Sequence, residues 1–104
     1  MSDWSRLHEY NEENVRQWAP TSGGVYRLSC EEGDREYRVF YVGQSDDLHG
    51  RLTEHLNPSE PDECIKKYLG KYACYFRFIE IATEAERDRV EGEQIRKYRP
   101  ECNA

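Results

Sequence analysis

The 104-residue sequence predicts an α+β domain: a small antiparallel sheet of three strands flanked by helices in the order β-β-α-α-β-α, with a short helix ahead of it. Three observations carry this. Two segments of alternating hydrophobicity, 25–30 and 37–42, lie on either side of a Gly-Asp turn. Two short helical patterns follow them, and an apolar run over 72–81 precedes a last helix. The length suits one core, so the chain reads as one domain, with 1–20 a helical extension and 24–103 the core.

In that extension Leu7, Tyr10, Val15 and Trp18 mark a packing face, Asn11 is the N-cap, Glu12 and Glu13 fill the first turn, and Pro20 stops the helix. A flexible Thr21-Ser22-Gly23-Gly24 loop leads into the first strand. Alternation there places Tyr26, Leu28 and Cys30 on one face. A two-residue type II′ turn at Gly33-Asp34 then pairs Cys30 with Tyr37, Leu28 with Val39 and Tyr26 with Tyr41. Two phenols thus stand side by side at the open end of the hairpin. A one-residue slip would turn Tyr41 away.

Ser45, followed by Asp46 and Asp47, is expected to cap the next helix, whose buried stripe is Leu48, Leu52 and Leu56. Arg51 and His55, also four apart, form a polar row beside that stripe. Residues 57–61 break the helix, and 62–69 form another, with Ile65, Tyr68 and Leu69 inward and Gly70 as terminator. The run 72–81 is apolar on both faces, so it is expected to be the core strand, covered on both sides. Thr83 and Glu86 have capping-box spacing for a last helix ending near Tyr98. Glu91 falls on its inward arc with Val90, Ile95 and Tyr98, where a carboxylate needs a partner such as Arg87 or Arg96.

No apolar run approaches a membrane span, and the polar start is unlike a signal peptide, so a cytoplasmic protein with no membrane partner is expected. The four cysteines show no CxxC pair or ligand-like spacing, which argues against a zinc module and predicts reduced structural thiols. A formal net charge of −6, from 21 acidic and 15 basic residues, counts against a sequence-independent grip on nucleic acid. Eleven of those basic residues are arginine, a bias that suits bidentate phosphate contacts and that base composition also explains.

Taken singly, paired tyrosines in a hairpin are packing residues and an Arg/His row on a helix is a solvated face. Taken together, phenols, a guanidinium, an imidazole and a carboxylate are the inventory of metal-assisted phosphoryl transfer. That chemistry must deprotonate a water, spread charge on phosphorus and stabilise a leaving alkoxide. A phenol, with an ordinary pKa of about 10, serves as a base only when its surroundings favour its ionisation.

The sequence resembles the GIY-YIG nucleases over nearly its whole length. Gly24-Val25-Tyr26 is similar to the GIY element and Tyr41-Val42-Gly43 to the YIG element. Gly43-Gln44-Ser45-Asp46-Asp47-Leu48, continuing to Arg51 and His55, resembles the family's glycine-to-histidine helix, and Glu91, with the closing Ile95–Pro100 run and Asn103, resembles its metal-binding and terminal elements. The gap from Tyr26 to Tyr41 exceeds the commonest family spacing, which implies a longer hairpin arm.

The resemblance implies roles for these residues. Tyr26 would be the general base or water-activating phenol, Tyr41 would position the water, and Arg51 would steady the scissile phosphate. His55 would tune or accept the proton of Tyr26, Glu91 would hold a single Mg²⁺ or Mn²⁺, and Asn103 would order the site. It further implies an endonuclease acting on double-stranded or branched DNA, with RNA left open, as a monomer or weak homodimer. The alternative is a noncatalytic module that keeps the fold and binds nucleic acid or protein. His8 and His49 receive no role.

Overall fold

Four strands, not three, make up a single antiparallel sheet in the computed structural model, which describes residues 3–104. In chain order the elements are β1 (His8–Glu9), α1 (Glu12–Trp18), β2 (Gly24–Glu31), β3 (Tyr37–Ser45), α2 (Leu48–Leu56), α3 (Glu63–Lys71), β4 (Cys74–Glu80), α4 (Glu84–Tyr98) and a terminal 3₁₀ turn, Glu101–Asn103. The strand order is β1-β4-β2-β3. The added strand comes from the extension, where His8 pairs with Phe76, so Leu7 and Tyr10 lie outside the helix they were expected to join. Trp18 is 49% exposed, with its ring stacked on His8 rather than in the core.

Helices α1, α2 and α3 cover one face of the sheet. There Leu28, Phe40, Leu48, Leu52, Ile65 and Phe76 are fully buried, with Val15 and Tyr10 closing the layer from α1 and its approach. The Tyr10 hydroxyl donates to the Leu52 carbonyl at 2.6 Å, tying the extension to α2. Helix α4 lies on the other face and has no fully buried residue. β2, between β4 and β3, is buried from Gly24 through Cys30, whereas Phe78 and Ile79 of β4 are only half-buried. The strand between the two layers is therefore β2, not the apolar 72–81 run. β4 has only a two-residue neighbour on its outer side.

The hairpin departs from its expected register in an instructive way. Gly33, Asp34 and Arg35 all have positive φ, and the loop closes through the Glu32 N–H donating to the Glu36 carbonyl, so the two-residue turn is absent. The wider loop shifts pairing by one residue: Glu31 opposes Tyr37, Cys30 opposes Arg38 and Ser29 opposes Val39. A bulge then leaves Phe40 without a partner, and the pairing resumes with Leu28 opposite Tyr41 and Tyr26 opposite Gly43. One slip alone would have turned Tyr41 away, but the extra residue restores it to the face of Tyr26. The bulge also sends Phe40 into the core, where its ring stacks on Tyr68 at 4.5 Å.

Helix starts follow local chemistry. Asn11, Asp62 and Thr83 accept backbone N–H groups as N-caps. The cap of α2 is Asp47, not Ser45, because β3 runs on to Ser45 and the Asp47 carboxylate accepts from the Gly50 N–H at 3.1 Å. α3 continues through Gly70 to Lys71. No helix among the described residues is long and apolar enough to cross a membrane.

The expectation of four reduced thiols is corrected. Cys64 on α3 and Cys102 in the terminal turn form a disulfide, while Cys30 and Cys74 are free and buried. A bridge between residues 38 apart leaves no short-range signature. It fastens the tail against α3, where the Tyr68 hydroxyl also donates to Glu101 at 2.8 Å.

Candidate active site

The site is assembled around Gly43. Tyr26 lies across the strand from it, and any Cβ at Gly43 would fall on the Tyr26 ring and hydroxyl, so only glycine permits this approach. Tyr26 is fully buried. The bulge brings Tyr41 alongside, with ring centroids 6.0 Å apart. His55 of α2 completes the group, 5.8 Å from the Tyr26 ring and 5.6 Å from the Tyr41 ring. The third buried position of α2, after Leu48 and Leu52, is His55 rather than Leu56.

The polar contacts of these rings are short. Tyr26 Oη and His55 Nε2 are 2.7 Å apart, and His55 Nδ1 and Glu60 Oε2 are 2.9 Å apart. Glu60 is 5% exposed, and its other oxygen accepts the Asp62 N–H at 2.9 Å. Burial pushes the Tyr26 phenol well above its ordinary value, Tyr41 adds to this, and the Arg51 charge opposes it. Burial also lowers the pKa of His55, with the Glu60 hydrogen bond opposing and Arg51 assisting. Both groups are therefore neutral near pH 7.

Arg51 is half-exposed on α2 and donates to Glu54 Oε2 at 3.0 Å. Beside it opens a cavity of about 230 Å³ lined by Arg51, Glu54, Asn57, Ser59, Glu60 and Pro61. Asn103 acts from the outer edge of β3. Its side chain accepts the Val42 N–H and donates to the Val42 carbonyl, each at 2.8 Å, which occupies the free edge between Tyr41 and Gly43.

Glu91 approaches from α4. Its partner is neither Arg87 nor Arg96 but Gln44, whose amide donates to Glu91 Oε1 at 3.1 Å and also to Asp88. Among the described residues no hydrogen bond joins Glu91 to Tyr26, Tyr41, Arg51 or His55. Its tie to the sheet is Gln44, the neighbour of Gly43 on β3. Of the residues expected at the site, Tyr26, Tyr41 and His55 thus lie together, Arg51 is one turn before His55 on α2, and Gln44 and Glu60 join them unexpectedly. Gln44 stood next to a singled-out glycine, and Glu60 carried no signal beyond lying five residues after His55.

A family model for the UvrC-like GIY-YIG domain matches residues 22–104. The chain belongs to that family. Among curated relatives, UvrABC system protein C of Protochlamydia amoebophila is 31% identical over 85 residues, which is 82% of this chain and 13% of that protein. The protein of the same name from Idiomarina loihiensis is 28% identical over 103 residues, 99% of this chain and 16% of its own length. The chain thus spans about a seventh of these relatives. Among solved structures, the GIY-YIG N-terminal endonuclease domain of UvrC from Thermotoga maritima, bound to magnesium as its catalytic divalent cation, superposes with a TM-score of 0.68 at 26% identity. That match covers 88% of this chain and 98% of the Thermotoga domain. The α+β fold of this chain is the fold of that domain, with helices on both faces of the sheet.

Proposed function

We propose that this chain is a divalent-metal-dependent endonuclease that hydrolyses phosphodiester bonds in DNA, with residues 24–103 as its catalytic core and 1–20 as an extension that completes the sheet. The observation that carries the reading is the convergence of Tyr26, Tyr41 and His55, with Arg51 beside them at an open cavity, in a chain of the GIY-YIG family.

The donors suit a hard cation held mainly by water. Glu91 is half-buried, one of its oxygens takes a hydrogen bond from Gln44, and no ion pair engages it among the described residues. Among the described residues no three His, Cys, Asp or Glu side chains form a cluster, and Glu91 would be the carboxylate that holds Mg²⁺ or Mn²⁺, with Asp88 beside it on the shared Gln44 amide. When bound, the cation would supply positive charge for the phosphate and acidify a coordinated water.

The remaining work belongs to the side chains. Arg51 binds the scissile phosphate through the N–H donors of its fork that the Nη1 contact to Glu54 leaves free. Tyr26 withdraws a proton from the attacking water as its own phenolic proton passes to His55. Tyr41 orients that water, and Asn103 keeps the strand carrying both Tyr41 and Gly43 in place.

The test is a panel of labelled linear, nicked and branched DNAs given to metal-stripped protein, then to protein with Mg²⁺ or Mn²⁺, beside Glu91→Ala. Cleavage that needs metal and vanishes in Glu91→Ala is expected. Gel-shift binding with no cleavage of any substrate would overturn the reading in favour of a noncatalytic module.

A further inference from the structure

We propose that Glu60 is the positioning carboxylate of a Tyr26–His55–Glu60 relay: it holds the proton of neutral His55 on Nδ1 and thereby reserves Nε2 to receive the phenolic proton of Tyr26. The catalytic half of this statement rests on the nuclease reading above, whereas the positioning half stands on geometry alone.

The geometry leaves little freedom. His55 and Glu60 side chains are 0% and 3% exposed, so neither group turns to water for a partner. An ionised carboxylate only accepts hydrogen bonds. One Glu60 oxygen takes the Asp62 N–H at 2.9 Å, and the other faces His55 Nδ1 at 2.9 Å. Nδ1 must therefore carry the proton. In a neutral ring that makes Nε2 the acceptor, and the Tyr26 hydroxyl, 2.7 Å away, becomes the donor. The opposite tautomer would aim an Nε2–H at the phenolic oxygen and leave it unable to take a proton.

A buried phenol needs this arrangement. Fully enclosed, Tyr26 does not ionise by losing its proton to bulk water, so the proton must move to a base already within hydrogen-bond reach. Once substrate binding uncovers the Tyr26 hydroxyl, which is enclosed in the free protein, the water proton passes to the Tyr26 oxygen and the Tyr26 proton passes to His55 Nε2 as the water's oxygen forms its new bond to phosphorus. The bond from phosphorus to the leaving oxygen breaks, and that oxygen is protonated by solvent. The imidazolium keeps its Nδ1–H on Glu60, which stabilises its charge, and later returns the Nε2 proton to the Tyr26 oxygen as Tyr26 passes its own proton to the water that replaces the product. The logic is that of a carboxylate orienting the histidine of a catalytic triad. The other charged and titratable groups facing His55 are Arg51 on its own helix, Tyr26 on β2, Tyr41 on β3 and Asp62 at the start of α3.

A mere staple of the 57–62 loop by Glu60 would give the same contacts, so the test must read more than stability. Ring nitrogen shifts of His55 in ¹⁵N-histidine-labelled protein report the tautomer directly, for wild type, Glu60→Gln and Glu60→Ala. Glu60→Gln keeps the shape should the alanine variant fail to fold. The expected result is Nδ1–H in wild type and a shift toward Nε2–H in the variants. Cleavage by Glu60→Gln should lose about 10²-fold in kcat with KM little changed. Its acidic limb in the pH–kcat profile should move to lower pH, because the carboxylate that favours imidazolium is gone. An Nε2–H ring in the wild type overturns the proposal even if the chain cleaves DNA. A variant that loses stability but keeps the tautomer and the limb overturns it in favour of the staple. A wild type with Nδ1–H that cleaves nothing supports the positioning and overturns the nuclease reading alone.

Discussion

On the face covered by α1, α2 and α3, the sheet meets a continuous apolar layer in which Leu28, Leu52, Ile65 and Phe76 are fully buried. On the face covered by α4 it meets Arg27. That side chain is 8% exposed, lies 4.1 Å from the Trp4 ring centroid, and donates to Gln94 at 2.9 Å and to Tyr98 at 2.7 Å. Arg87 adds a further polar tie, from its guanidinium to the Ile81 carbonyl at 3.0 Å. The first face gains its stability mainly from area removed from water, whereas the second adds directed hydrogen bonds to a smaller buried area supplied by Val25 and Val42. The division matches the chemistry. Tyr26 and His55 sit in the packed layer, and Glu91 sits on the half-buried helix of the other face.

Stability measurements can break this comparison. Phe76→Ala should cost about 3–5 kcal/mol in urea denaturation, as expected for an aromatic removed from a closed core. Ile95→Ala on half-buried α4 should cost only about 1–2 kcal/mol, because less of its surface leaves water. Equal losses would show that α4 is packed as tightly as the other helices.

The disulfide comes next. Closing 38 residues restricts the unfolded chain by about 3–4 kcal/mol in the chain-entropy account, so Cys102→Ser should lower the unfolding free energy by most of that amount. A melting temperature unchanged by reductant would remove the bridge from the comparison. Arg27→Met should cost less, about 1.5–3 kcal/mol, for the lost charge-assisted hydrogen bonds. It should quicken amide exchange across α4 while leaving α2 protected. Faster exchange in both helices would mean that the two faces fail together.

Asn103→Ala tests the edge where the two faces meet. The substitution returns Val42 N–H and C=O to solvent, a cost of about 1 kcal/mol, yet it frees the strand bearing Tyr41 and Gly43. Activity should therefore fall by more than the stability change alone explains. A loss of melting temperature with full cleavage would reduce Asn103 to a stabilising cap.

What was legible in the sequence was local. The caps at Asn11 and Thr83 depend on residues three apart, and the buried pair Leu48 and Leu52 on residues four apart. The hairpin faces were legible only near the open end, since neither the three-residue positive-φ loop nor the bulge at Phe40 leaves a compositional mark. Tyr26 and Tyr41 share a face as expected, but diagonally and not directly opposed, because two one-residue displacements in the same direction add to a two-residue shift that restores the face and sets Tyr26 against Gly43. The features that escaped are contacts across long separations or within irregular loops: Cys64 with Cys102, Gln44 with Glu91, His55 with Glu60, and the β1 strand on β4. Periodicity cannot encode them, because each pairs one residue with one distant partner rather than a face with a face.

The gentlest test needs no substitution. Both buried histidines, His8 and His55, lie on the apolar face, and burial lowers the pKa of each below the ordinary 6.5, with Arg6 and Arg77 assisting at His8. A folded-state pKa below the unfolded value means that the unfolded chain binds more protons as pH falls through 6.5. Stability is then complete above that value and declines below it, toward the folded pKa values. A melting series from pH 7.5 to about 6 should show a small decline that begins near 6.5. His8→Phe, which keeps an aromatic ring against Phe76, should remove its share of the decline. Amide exchange should locate the loosening at β1, α1 and α2, with α4 changing only on global unfolding. A decline that begins on α4 would place the acid-sensitive weakness on the polar face and reverse the comparison.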